Sequence, residues 1–134
     1  MVLLDSTFLI DFLNGQEAAR RKLSSMSFLT VFTTRINVFE VLTGLFSLGK
    51  EPPIAEKLFS DAYFLFSRLN ILELSEKSGI KAAEIAGSLN KRGSPISSMD
   101  CMIAGIALTN GIKRIITRNE KDFKKIGGVE AENY

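Results

Sequence analysis

The 134 residues contain no histidine and no tryptophan, a single cysteine and only three prolines. Without histidine there is no imidazole acid–base chemistry, no Ser-His-Asp triad and no zinc site built on imidazole. One cysteine, Cys101, rules out an intramolecular disulfide framework. Soft ligands are almost absent, so any metal must be held by carboxylate oxygens, which selects a hard ion such as Mg²⁺ or Mn²⁺. No run approaches the ~18 uninterrupted apolar residues of a membrane span. The opening Met1-Val-Leu-Leu-Asp5 lacks the basic n-region of a secretory signal. A soluble, cytoplasmic protein with no membrane partner is expected. An excess of one charge is also missing: 17 basic residues face 15 acidic ones, net +2. Any nucleic-acid partner must therefore be argued from where the charges lie, not from their sum.

What is present is a chain of one-domain length with 46% hydrophobic residues. It shows no repeat and no linker, so residues 1–134 are read as a single domain. Val2-Leu3-Leu4 reads as a strand buried on both faces. Asp5-Ser6-Thr7 offers N-caps for a helix carrying Phe8, Leu9, Phe12 and Leu13, which Gly15 closes. Glu17 to Met26 is a second short helix, and Phe28 to Thr33 is a strand by its β-branched and aromatic content. Thr34 caps a helix with Ile36, Phe39, Val41 and Leu42. Pro52 and Pro53 suit the first turn of a helix that continues from Ile54 to Leu69. A strand over Ile71–Leu74, a helix capped by Ser75 and running to about Lys91, and a helix over Met99–Thr109 follow. Arg114–Thr117 is the last strand, and Glu120–Ile126 the last helix. Short apolar strands alternating with helices predict an α/β fold, a three-layer α/β/α sandwich around a mostly parallel sheet. In such folds ligands bind beyond the carboxyl ends of the strands.

The acids near those ends are the candidates. Asp5 follows the first strand, and Asn119 and Asp122 follow the last. Asp100 lies in the first turn of its helix, and Glu40 stands six residues past Thr34. Each has a plainer reading. Asp5 can cap the next helix, Asp100 stands at capping spacing from Ser97, Glu40 can be solvated, and Asp122 can belong to a charged turn. Asp11, six residues from Asp5, is read as capping or pairing.

Taken together, "LLDSTFLID" at 3–11, "INVFEVLTG" at 36–44, "SSMDCMIAGIAL" at 97–108 and "RIITRNEKDF" at 114–123 resemble the PIN-domain family in order and spacing. The likeness extends to its compact VapC-type toxin ribonucleases. It implies a metal-dependent endoribonuclease, hydrolysing RNA phosphodiester bonds and leaving a 5′-phosphate. Carried over by position, Asp5, Glu40 and Asp100 are the core acids that bind Mg²⁺ or Mn²⁺. Asp122 is a fourth catalytic acid, and Asn119 a neutral partner where many members have Asp. Ser6 and Thr117 are supporting hydroxyls; Ser6-Thr7 departs from the common Thr-Asn. The resemblance also implies a homodimer and an antitoxin protein partner.

Charge distribution gives the RNA a place to bind. Residues 113–125 hold Lys113, Arg114, Arg118, Lys121, Lys124 and Lys125 against Glu120 and Asp122. Arg118, Lys121 and Lys124 are the expected phosphate contacts; a solvated helical face is the plainer reading. Phe59, Tyr63, Phe64 and Phe66 cannot all share one helical face, which leaves apolar surface for a second copy or an antitoxin. Cys101 reads as a buried small hydrophobe. The second functional reading is a catalytically inactive PIN-like module that binds RNA or protein. A phosphoacceptor receiver domain fits poorly, because it needs paired acids after the first strand and a central strand that ends in Asp.

Overall fold

Val2, Leu3 and Leu4 are completely buried, and the strand they form is the middle of the sheet. A computed structural model describes all 134 residues. The elements run β1 (Val2–Leu4), α1 (Ser6–Leu13), α2 (Glu17–Ser25), β2 (Val31–Thr34), α3 (Arg35–Phe46), α4 (Pro52–Ser67) and β3 (Asn70–Leu72). Then come α5 (Glu76–Lys91), α6 (Ser98–Thr109), β4 (Arg114–Ile116), α7 (Glu120–Phe123) and β5 (Glu130–Glu132). The sheet order is β3-β2-β1-β4-β5, and every pairing is parallel.

Alternation along β1 separates the two cores. Val2 and Leu4 pack with Phe8 and Leu9 of α1, Val38 and Val41 of α3, and Leu65 and Phe66 of α4. Leu3 points the other way, into a core shared with Ile85 and Leu89 of α5, Ile103 and Ala107 of α6, and Ile115 of β4. A strand with both faces covered must be apolar at every position, which is why this one reads as a continuous run. The three-layer α/β/α expectation is met.

Helices α5 and α6 pack at short range because of Gly105. A Cβ there would stand 2.6 Å from the Ser78 carbonyl oxygen and 2.8 Å from the Ala82 nitrogen. The middle of α6 is thereby held close against the first half of α5. Thr34 and Ser75 cap their helices as expected, each in a reciprocal capping box with the residue three positions on.

Several boundaries differ from the sequence reading. The second strand begins at Val31, not Phe28, and Phe28 is 96% exposed in the preceding turn. The third strand is Asn70–Leu72, starting one residue and ending two residues earlier than expected, and Leu74 is exposed. Helix α7 stops at Phe123, short of Ile126. Strand β5 was not expected: Glu-Ala-Glu carries no strand propensity. It forms because the open edge of β4 supplies a parallel ladder and because Arg114 and Lys22 both reach Glu132.

Candidate active site

Chain order places the site. From β1 the sheet grows one way through β2 and β3 and the other way through β4 and β5, so the switch point lies between β1 and β4. In open parallel sheets the crevice opens at the carboxyl ends of the strands flanking that point. Asp5 directly follows β1, and Thr117-Arg118-Asn119 directly follows β4. Their backbones are joined there, the Asp5 N–H donating to the Ile116 carbonyl at 3.1 Å.

Asp5 occupies the N-cap position of α1, but its side chain makes no capping bond. This corrects the capping alternative. The carboxylate is only 2% exposed and turns into a ring of neutral donors. Asn37 Nδ2 donates to Oδ1 at 2.9 Å, Thr117 Oγ1 to Oδ2 at 2.7 Å and Thr7 Oγ1 to Oδ2 at 3.1 Å. Ser6 Oγ bridges to Glu40, donating to Oε1 at 3.0 Å, with Asp5 Oδ1 at 3.4 Å. A buried carboxylate survives only with such donors or a cation. None of these donors is charged.

The other side of the crevice is built by Asn119. Its side-chain nitrogen donates to Asp100 Oδ2 at 2.9 Å and to Asp122 Oδ2 at 3.2 Å, so one amide holds two acids. The Asn119 backbone N–H is in turn fixed on Thr117 Oγ1 at 2.9 Å. Asp100 is presented by the start of α6, where its N–H donates to the N-cap Ser97 Oγ at 3.1 Å. Its capping-type spacing and its place in the crevice are compatible: the backbone serves the cap and the carboxylate serves the site.

The acids feel one another. Burial pushes the Asp100 carboxyl up to about 6, and the charges of Asp5 and Asp122 push in the same direction, against the hydrogen bonds from Ser97 and Asn119. Burial likewise raises Glu40, with Asp5 and Asp100 adding to the effect and the Ser6 hydrogen bond opposing it. The structure thus brings Asp5, Glu40, Asp100, Asp122, Ser6, Thr117 and Asn119 to one edge of the sheet. Glu40 is half-buried there, not a solvated helical acid. The acids are linked in pairs, Asp5 with Glu40 through Ser6 and Asp100 with Asp122 through Asn119; no three of them form a ready cation cage. By donor type the set is all hard oxygen, the chemistry that suits Mg²⁺ or Mn²⁺. Its mutual repulsion is of the kind a divalent ion relieves.

The basic segment is largely committed to internal ion pairs. Arg118 pairs with Asp11 at 2.9 Å, Lys124 with Glu120 at 2.9 Å, and Lys125 with Asp122 at 3.4 Å. Of Arg118, Lys121 and Lys124, only Lys121 has no ion pair. Asp11 pairs as expected, accepting also from the Tyr134 hydroxyl at 2.6 Å. Cys101 is buried, 3% exposed, as expected.

Sequence reasoning missed Asn37, which is fully buried. The available signal was its double spacing: three residues after the cap Thr34 and three before Glu40, which puts it on the helical face that carries Glu40. Thr7 and Tyr134 were missed as well. Nothing local marks a residue that meets its partner 110 or 123 positions away, as Thr7 does Thr117 and Tyr134 does Asp11.

Known proteins resemble the chain in family pattern, in sequence and in structure. The PIN domain model matches residues 2–129. A tRNA(fMet)-specific endonuclease VapC of Shigella flexneri is 22% identical over 132 residues, covering 98% of this chain and 96% of that protein. The VapC of Salmonella typhimurium is 27% identical over 103 residues, 76% of this chain and 77% of that one. Among solved structures, DNA-bound VapBC from Salmonella typhimurium matches with a TM-score of 0.83 at 25% identity, over 98% of this chain and 96% of that one. VapBC2 from Rickettsia felis bound to a promoter DNA fragment matches with a TM-score of 0.88 at 24% identity, over 100% and 99% of the two chains.

Proposed function

The chain belongs to the PIN-domain family, and from that premise we propose that it is a metal-dependent endoribonuclease, the toxin of a toxin–antitoxin pair. The observation that carries the reading is the crevice itself. Four acids from four separated segments meet at the β1–β4 switch point, with neutral donors beneath them and carboxyls at Asp100 and Glu40 that resist ionisation. The similarity to proteins named as VapC endonucleases supports the same activity.

In this reading Asp5, Glu40 and Asp100 hold Mg²⁺ or Mn²⁺. When bound, such an ion polarises a phosphate oxygen and lowers the pKa of water. The remaining roles fall to the chain. Asn37, Thr7 and Thr117 fix the Asp5 carboxylate, and Ser6 ties Glu40 to it. Asn119 aligns Asp100 with Asp122, which stands as the fourth acid of the crevice. Arg118, Lys121 and Lys124 face the phosphate backbone of the RNA. The test is cleavage of RNA with Mg²⁺ or Mn²⁺ by Asp5→Asn and Asp100→Asn. Both variants should be folded and inactive; full activity in both rejects the assignment.

The pairwise linkage of the acids favours one alternative, a PIN-like module that binds without cutting. Calorimetric titration separates the two. Absence of binding at millimolar Mg²⁺ or Mn²⁺ selects the alternative.

The proposal includes a homodimer and an antitoxin partner, supported by the surface of α1, α3 and α4. Phe46 and Phe64 are 73% and 70% exposed. A cleft lined by Ile10, Leu13, Val41, Leu45 and Leu48 opens between α1 and α3. Apolar surface of this kind is suited to burial by another chain.

A further inference from the structure

Next to the acid crevice lies a second concavity, of which the chemistry above uses only Arg118. It is an open cleft of about 470 Å³ lined by Asp11, Gln16, Ala18, Arg118, Asn133 and Tyr134. Its volume is in the range of small-molecule sites. One aromatic ring, one guanidinium and two carboxamides line it beside the Asp11 carboxylate.

The cleft is built around Asp11, whose side chain is only 14% exposed. Asp11 Oδ2 accepts from the Tyr134 hydroxyl at 2.6 Å and lies 2.9 Å from Arg118 Nε. One carboxylate oxygen therefore positions both the ring and the guanidinium. Tyr134 is also held by Phe8, edge to face, with centroids 4.9 Å apart. The terminal nitrogens of Arg118 have no protein acceptor. The cleft is joined to the acids through Thr7. Its hydroxyl accepts from the Arg118 backbone N–H at 3.0 Å, donates to Asp5 at 3.1 Å and stands beside the Tyr134 hydroxyl.

We propose that this cleft is a subsite for one nucleotide of a single-stranded RNA, adjacent to the bond that is cut. Tyr134 offers a stacking surface for the base, Gln16 and Asn133 offer donors and acceptors to its edge, and Arg118 offers its free nitrogens to the flanking phosphate. Single-stranded RNA is read in this way, by stacking on aromatic side chains and hydrogen bonds to splayed bases. A carboxamide supplies both a donor and an acceptor, so the pair can discriminate among bases. Asp11 is a positioning residue: it holds Arg118 and Tyr134 and touches no substrate. The inference rests on the ribonuclease reading and deepens it by locating sequence preference outside the acids.

The test uses the full chain carrying Asp100→Asn, which prevents cutting, and fluorescein-labelled oligo-A, -C, -U and oligonucleotides with single guanines, read by anisotropy. Tyr134→Ala should weaken binding by about 5- to 100-fold. Gln16→Ala and Asn133→Ala should narrow the differences among the four bases. Arg118→Gln should lower the slope of log affinity against log salt by about one while leaving the base preference. Tyr134→Phe, which keeps the ring, should retain stacking and distinguishes lost stacking from a fold defect. Cleavage-site profiles of the same substitutions in the cleavage-competent chain, with Asp100 intact, complete the set. If the cleavage-competent chain cuts RNA, and Tyr134→Ala, Gln16→Ala, Asn133→Ala and Arg118→Gln all leave site profile and affinity unchanged, the subsite is wrong and the nuclease stands. If the parent binds RNA with the Tyr134 dependence but never cuts, the subsite stands and the nuclease reading falls. If it neither binds nor cuts, both fall.

Discussion

Asn37 donates its side-chain amide to Asp5 at 2.9 Å, tying the start of α3 to the end of the central strand. The same Asn37 accepts through Oδ1 from the Thr34 N–H at 3.2 Å and the Thr34 hydroxyl at 2.7 Å. One buried side chain thus closes a helix cap and satisfies a buried carboxylate. Asn37→Ala should cost about 1–3 kcal/mol, because it strands both the cap donors and Asp5. Asn37→Asp keeps the shape but adds a negative charge beside Asp5, and should lower both stability and cleavage at neutral pH. Thermal denaturation and RNA cleavage check both; a variant as stable as the parent contradicts the role.

The acid crevice should be a net burden on stability in the absence of metal. Asp100 has a carboxyl near 6 in the folded protein against 3.8 in its ordinary state. The folded chain therefore holds this proton more tightly, and stability falls as pH rises from about 4 to about 6. Asp100→Asn removes that loss. Its advantage over the parent should be about 1 kcal/mol at pH 7, after allowance for partial exposure, and should vanish near pH 4. Urea denaturation across that range in chelator is the measurement. An Asp100→Asn protein less stable than the parent at pH 7 contradicts the electrostatic account.

Divalent metal should reverse the sign of that difference. In millimolar Mg²⁺ or Mn²⁺ the parent should gain stability, approaching about 2.7 kcal/mol at a hundredfold excess over the dissociation constant. Asp5→Asn and Asp100→Asn should gain much less, and chelator should abolish RNA cleavage by the parent. Equal gains in all three proteins would place the ion elsewhere.

Gly105 and Gly79 offer a matched pair on the two helices that pack most closely. Gly105→Ala forces a methyl group into the Ser78 carbonyl and the Ala82 nitrogen, both backbone, and should cost about 1–3 kcal/mol. Gly79 has nothing within 4 Å of an added Cβ, so Gly79→Ala should stabilise by about 0.4–1 kcal/mol. Denaturant midpoints decide. The reverse order would mean that α5 and α6 are not held together at this contact.

The sequence made some of this readable because certain local signals have only one outcome. Val2-Leu3-Leu4 can be buried on two faces or not at all. Thr34 and Ser75 stand where only a cap makes sense. The order of Asp5, Glu40, Asp100 and Asp122 along the chain carries the family likeness, and the matched residues 2–129 establish it. Other features were illegible for definite reasons. Strand β5 is Glu-Ala-Glu, held by its neighbour and two cations and not by its own preference. Phe28 reads as strand by type, yet the sheet offers it no partner. Arg118 reads as a free cation until Asp11, 107 positions earlier by numbering, is found at its side. Asn37 lies inside a quoted motif but donates to a residue that no spacing rule connects to it.

The β1–β4 pairing has a consequence for how the molecule is made. Asp5 is made 112 positions before Thr117, the residue that gives its shortest hydrogen bond, and its strand is hemmed on one side by residues 114–116. Until that late stretch has emerged, the central strand has an open flank and the crevice has only one wall.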